Sequence, residues 1–132
     1  MAEVALSAGT IEYEDTGGPG AVIVLVHGVA MNGSLWRDVV RDLRTDHRCI
    51  VPDLPLGAHR QPMRPDADLS MHGIARLIAE LMDHLDLRDV TLAMSDWGGP
   101  QLLVSESLDK RIARLVITSC ECTCGGPAGS PA

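Results

Sequence analysis

Apolar residues in this chain follow two alternating textures. Short unbroken runs rich in β-branched residues are separated by stretches in which apolar positions recur every three or four residues. Ala21–Val26 (AVIVLV) is the clearest run, and it predicts a central parallel strand covered on both faces. Arg48–Leu54, Asp89–Met94 and Arg114–Thr118 read as further strands of the same sheet. Between them, Trp36, Val39, Val40 and Leu43 share one helical face, with Ser34 as the expected N-cap. Ile74, Leu77, Ile78, Leu81, Met82 and Leu85, preceded by Ser70 as cap, give the cleanest helical periodicity in the sequence. Pro100–Leu108 reads as another helix, because a proline in the first turn has no intrahelical donor to lose. At the N-terminus, weak alternation over Val4–Ala8 and Thr10–Glu14 predicts a hairpin across Gly9, followed by a turn cluster at Gly17-Gly18-Pro19-Gly20. Pro55 to Leu69, rich in Pro, Gly and charge, is expected to be a surface loop. Strands alternating with helices imply an α/β fold, a mostly parallel sheet with helices on both faces. No internal repeat is apparent.

Composition narrows the picture. At 132 residues the chain fits one domain. We expect that domain over residues 1–119, since CECTCGGPAGSPA at 120–132 has no periodic apolar face and is expected to be disordered. A net charge of −7 argues against nucleic acid or an anionic membrane as partner. No basic segment precedes an apolar stretch at the N-terminus, and the run Ala21–Val26 is far too short to cross a bilayer. The expectation is a soluble, cytoplasmic protein. Cys49 sits in an apolar strand and reads as a small buried hydrophobe. Cys120, Cys122 and Cys124 lack zinc-site spacing and a nearby histidine, so no metal or cofactor is expected. Aromatic residues are few (Tyr13, Trp36, Trp97 and no Phe). Pockets for small apolar molecules are usually aromatic-lined, so a pocket wall is expected to be missing.

The candidate chemistry lies in Val90–Gly99, where an apolar strand runs into Ser95-Asp96-Trp97-Gly98-Gly99 and then a helical pattern. A sharp strand-to-helix turn pushes its central side chain out at the end of a sheet. Two positions after that residue the helix packs against the strand, leaving room only for a small residue. Counting from Ser95 puts Trp97 there, whereas counting from Asp96 puts Gly98 there. Asp96 is therefore the candidate nucleophile, and Ser95 a small residue preceding it.

This stretch resembles the nucleophile elbow of the aspartate branch of the α/β-hydrolases, the haloalkane dehalogenases and epoxide hydrolases. His27-Gly28, at the end of Ala21–Val26, is similar to the oxyanion-hole turn of that fold. The resemblance covers roughly residues 10–119. It implies that Asp96 attacks a saturated carbon to form an ester that water then cleaves. The N-terminus of the following helix would favour the ionised carboxylate by about 0.3–1 kcal/mol. Backbone N–H groups of Val29 and Trp97 would form the oxyanion hole, each worth ~2.7–4 kcal/mol in the transition state. The Trp97 indole would face a departing halide, while His27, Gly28, Gly98 and Gly99 would shape the turns.

Three features depart from that pattern. Val29 stands where dehalogenases carry Asn or Glu, and bulky Met94 stands two residues before Asp96. The resemblance also implies a base histidine after the last strand, yet none follows His84; His47, His59, His72 and His84 all lie elsewhere. The chain is thus expected to resemble the N-terminal half of a hydrolase, truncated before the cap and the C-terminal strands. At most it would form a covalent adduct with a small-molecule organic substrate, and it could self-associate through an exposed sheet edge. Two other readings fit the residues. Asp96 could be only a helix cap in a non-catalytic fragment or small-molecule binding protein. A doubly wound nucleotide-binding domain is the third, although the chain has no G-x-G-x-x-G or Walker sequence.

Overall fold

The computed structural model describes residues 1–95 and 110–118. The predicted elbow helix Pro100–Leu108 and the segment 120–132 lie outside the described residues. Six strands form one sheet: β1 (Ala2–Leu6), β2 (Gly9–Asp15), β3 (Ala21–Val26), β4 (His47–Pro52), β5 (Val90–Ser95) and β6 (Ile112–Thr118). Two helices, α1 (Arg37–Leu43) and α2 (Met71–His84), separate β3 from β4 and β4 from β5. The strand order is β1-β2-β4-β3-β5-β6, with the hairpin antiparallel and β4, β3, β5 and β6 mutually parallel.

The β-branched run of β3 becomes the central strand because both its faces find apolar cover. Successive strand side chains point to opposite faces. Val24 and Val26, with Ile50 of β4 and Val90, Leu92 and Met94 of β5, pack on one side with Ile74, Leu77, Ile78, Leu81 and Met82 of α2. Leu25, Cys49, Val51 and Ala93 face the other way and meet Trp36 and Val40. The two helices therefore cover opposite faces, as the alternating pattern predicts. The hairpin adds Val4, Ile11 and Tyr13 to the α2 side.

Several boundaries differ from expectation, each for a local reason. The hairpin turns at Ser7-Ala8, with Leu6 pairing Gly9, rather than across Gly9. Gly9 is needed instead for close approach: the loop after β4 crosses it in a bridge to Met63, whose Cα would sit 3.1 Å from a Cβ at that position. Residues 55–69 form the expected surface loop, and it is tied down as a strap. Arg64 N–H donates to Ala8 O at 2.7 Å, and the Gln61 amide reaches Glu3 and Glu12. A 3-10 turn over Gly33–Trp36 precedes α1, and Asn32, not Ser34, caps it, its Oδ1 accepting the Ser34 N–H at 3.0 Å. Strand β4 runs His47–Pro52, not Arg48–Leu54: Asp53 still bonds to Glu12 of β2, but the Leu54 N–H leaves the ladder for the His27 ring. Strand β5 starts at Val90, after Asp89 at φ +50, and β6 starts at Ile112 rather than Arg114.

Ser70 caps α2 as its position predicts, with Oγ accepting the Gly73 N–H at 3.3 Å. Gly73 itself is buried, and a Cβ there would lie 1.8 Å from the backbone oxygen of Asp68. Replacing a helical glycine with alanine normally gains about 1 kcal/mol. Here the carbonyl in the way belongs to the chain entering the helix, so the clash outweighs that gain. The G73A substitution is expected to lower Tm, and an unchanged or raised Tm would contradict this packing.

Candidate active site

Moving outward from β3, one connection goes to β4 on one side and the next goes to β5 on the other. The strand order therefore reverses between β3 and β5. In open α/β sheets, ligands bind outside the carboxyl ends of the strands at such a reversal. Val26 pairs with Met94 across it, so the carboxyl ends of β3 and β5 lie side by side, and two segments continue the chain from them. The first is His27-Gly28-Val29. The second is Asp96, which, with Trp97, Gly98 and Gly99, lies outside the described residues.

The described half of this site is held by its neighbours. His27 is fully buried. Its Nε2 accepts the Leu54 N–H at 2.8 Å, which leaves the ring proton on Nδ1, where it donates to Gly28 O at 2.8 Å. Both ring nitrogens are satisfied, and the imidazole acts as a cross-link between the β3 turn and the chain leaving β4. Burial pushes its pKa below the ordinary value, against the pull of the Gly28 carbonyl and of the Asp53 carboxylate nearby. A neutral ring locked in this way does not supply a mobile base.

Val29 follows at the surface, 56% exposed. Among the described residues, nothing accepts its backbone N–H. Its successor Ala30 has φ +60, a conformation that a residue with a Cβ rarely adopts. The Ala30 N–H is fixed to Leu56 O at 2.7 Å, and Gly57, at φ +119, lies against the Ala30 backbone. Three residues further on, the Gly33 N–H donates to Asp53 Oδ1 at 2.7 Å. Sequence reasoning missed Asp53, Leu54 and Leu56. The only signal was Pro52-Asp53, where a β-branched run ends on an acid, and that signal marks only a strand end.

A groove of about 460 Å3 opens nearby, but Glu12, Glu14, Arg37 and Arg60 make it highly charged, and neither His27 nor Val29 lines it. Among the described residues, no three His, Cys, Asp or Glu side chains converge as metal ligands do. No described helix is long and apolar enough to cross a membrane.

These features define a class. The chain belongs to the alpha/beta hydrolase fold family, which matches residues 21–123. Within it, the chain is 34% identical over 89 residues to a haloalkane dehalogenase of Mesorhizobium japonicum. It is 39% identical over 95 residues to haloalkane dehalogenase 2 of Mycobacterium tuberculosis. The matches cover 67% and 71% of this chain but only 28% and 32% of those two enzymes. Among solved structures, a thermophilic esterase from Thermogutta terrifontis superposes with a TM-score of 0.76 at 26% identity, over 96% of this chain and 47% of its own. A variant haloalkane dehalogenase from Agrobacterium tumefaciens gives 0.73 at 28% identity, over 90% of this chain and 40% of its own.

The His27 cross-link sets a pH dependence. Because the folded ring resists protonation, the unfolded chain takes up the proton first. The contribution of His27 to stability is therefore full above the ordinary value of about 6.5 and declines as pH falls below it, until the lowered folded value is reached. H27F leaves the buried Leu54 N–H unpaired and is expected to cost about 1–3 kcal/mol at pH 8. Denaturant titrations should show the gap between wild type and H27F narrowing from pH 7 to pH 5. A gap independent of pH would contradict the assigned ring state.

Proposed function

We propose that this chain carries the nucleophile half of a haloalkane dehalogenase-like site, with Asp96 as the attacking group. The observation that carries the reading is the order reversal between β3 and β5: a constrained turn, with an amide that has no partner among the described residues, stands beside the strand whose next residues are Asp-Trp-Gly-Gly. The dehalogenase names of its relatives support a small organic halide over other substrates, and an epoxide is the second candidate. In the reaction, a carboxylate oxygen of Asp96 bonds to the substrate carbon as the carbon–halogen bond breaks, and the halide leaves with the electron pair. The Val29 and Trp97 amides would hold the second carboxylate oxygen, and the Trp97 indole N–H would meet the halide. No histidine lies between Asp96 and residue 132, so these 132 residues by themselves would hold the ester rather than turn it over.

Incubation with a reactive alkyl bromide or a terminal epoxide, followed by intact-mass and peptide analysis, tests this. The expected product is one alkyl ester on Asp96, lost in D96N. No adduct, or one spread over surface carboxylates, would favour a helix-capping role for Asp96.

Self-association through β6 belongs to the same reading. This strand ends the described sheet and exposes Leu115, Val116 and Ile117, whose side chains alternate between its two faces. Light scattering of the isolated chain is expected to show species larger than a monomer, and a clean monomer would contradict it.

A further inference from the structure

Three hydrogen bonds hold the turn after β3, and all three come from the few residues that follow β4. The Asp53 carboxylate accepts the Gly33 N–H at 2.7 Å, the Leu54 N–H donates to the His27 ring at 2.8 Å, and Leu56 O accepts the Ala30 N–H at 2.7 Å. The donor segment is itself fastened. Asp53 N–H donates to Glu12 O of β2 at 2.8 Å, and Leu56 N–H closes back on Leu54 O at 2.8 Å. Val29 is thereby bracketed on both sides by fixed residues, while its side chain is exposed and its amide has no partner among the described residues. The strained φ of Ala30 fits this arrangement, because an unfavourable backbone conformation persists only where its surroundings over-determine it.

We propose that Asp53 is a positioning residue for the Val29 amide: its carboxylate and the peptide that follows it clamp the 27–33 turn in one conformation, so that this amide is set before any substrate arrives. The proposal rests on the ester reading for its consequence in chemistry, but the clamp is testable without it. A hydrogen bond to an ionised acceptor is stronger than one between neutral groups. Asp53 is the only charged member of the three contacts, so its loss should loosen the turn most. A preset donor orients the attacking carboxylate, whose charge passes to the departing halide, so a loosened turn should slow alkylation through poorer alignment without changing how the probe saturates.

The experiment compares wild type, D53A and D53N by amide hydrogen exchange and by the rate of alkylation with the alkyl bromide. In D53A, exchange at Ala30 and Gly33 is expected to rise about tenfold or more, with the buried amides of α2 unaffected. D53N, which keeps an oxygen acceptor, should recover most of the protection. The alkylation rate should fall in D53A and be restored in D53N, at an unchanged half-saturating probe concentration. Unchanged exchange at Ala30 and Gly33 in a folded D53A would overturn the clamp. Raised exchange with an undiminished alkylation rate would overturn its role in positioning. Should wild type take no adduct, the ester reading fails and Asp53 positions nothing catalytic, while the exchange data still decide the clamp. Should D53A not fold, wild type alone suffices: the Ala30, Gly33 and Leu54 amides should open together at one rate, and unrelated rates would contradict a single clamp.

Discussion

One buried imidazole ties together the two connections that shape the candidate site. The His27 ring sits between Gly28 O and the Leu54 N–H, so each nitrogen satisfies a backbone group that water cannot reach. An unpaired buried backbone amide costs about 1–3 kcal/mol, and aliphatic side chains of similar size offer no acceptor. Only a neutral ring with the proton on Nδ1 fits this position. The constraint then propagates: with Leu54 held, Asp53 and Leu56 fall beside Gly33 and Ala30, and Val29 is left facing outward. Rigidity and exposure thus meet at one residue.

The sheet explains why this constraint lies where chemistry can use it. Strand order reverses between β3 and β5, and in open α/β sheets ligands bind outside the carboxyl ends of the strands beside such a reversal. The apolar strand faces on either side are closed by α1 and α2, so the strand ends are the part of the core left available. A fold of this kind separates its tasks: periodic apolar residues hold the layers, and short irregular connections carry the site. Membership of the alpha/beta hydrolase fold family agrees with that division.

How much was legible in the sequence follows the range of the interactions involved. Helix α2 could be read because its cap, periodicity and apolar stripe are local, and Ser70 and Ile74 through Met82 behave as the pattern predicts. Strand β3 was legible for the same reason. The hairpin turn was misplaced because Gly9 serves a contact with Met63, more than fifty residues away, and no local signal separates a turn glycine from one that admits a crossing strand. Asn32 displaced Ser34 as cap because a 3-10 turn precedes α1, which apolar spacing does not reveal. The clamp was invisible for a deeper reason. Its bonds join residues 20–27 apart, each with a backbone group at one end, and no local pattern marks which backbone group a distant Asp or His will meet.

The most direct test of this account is the protonation state of the His27 ring, read from its two 15N chemical shifts in the intact chain between pH 8 and pH 5. The account predicts a neutral ring with the proton on Nδ1 and a hydrogen-bonded, unprotonated Nε2 at pH 8, taking up a second proton only below the ordinary histidine pKa of about 6.5. A ring that titrates at or above that value would contradict the burial that disfavours its charged form, and one that carries its proton on Nε2 would contradict the bond itself, because that nitrogen could not accept the Leu54 amide.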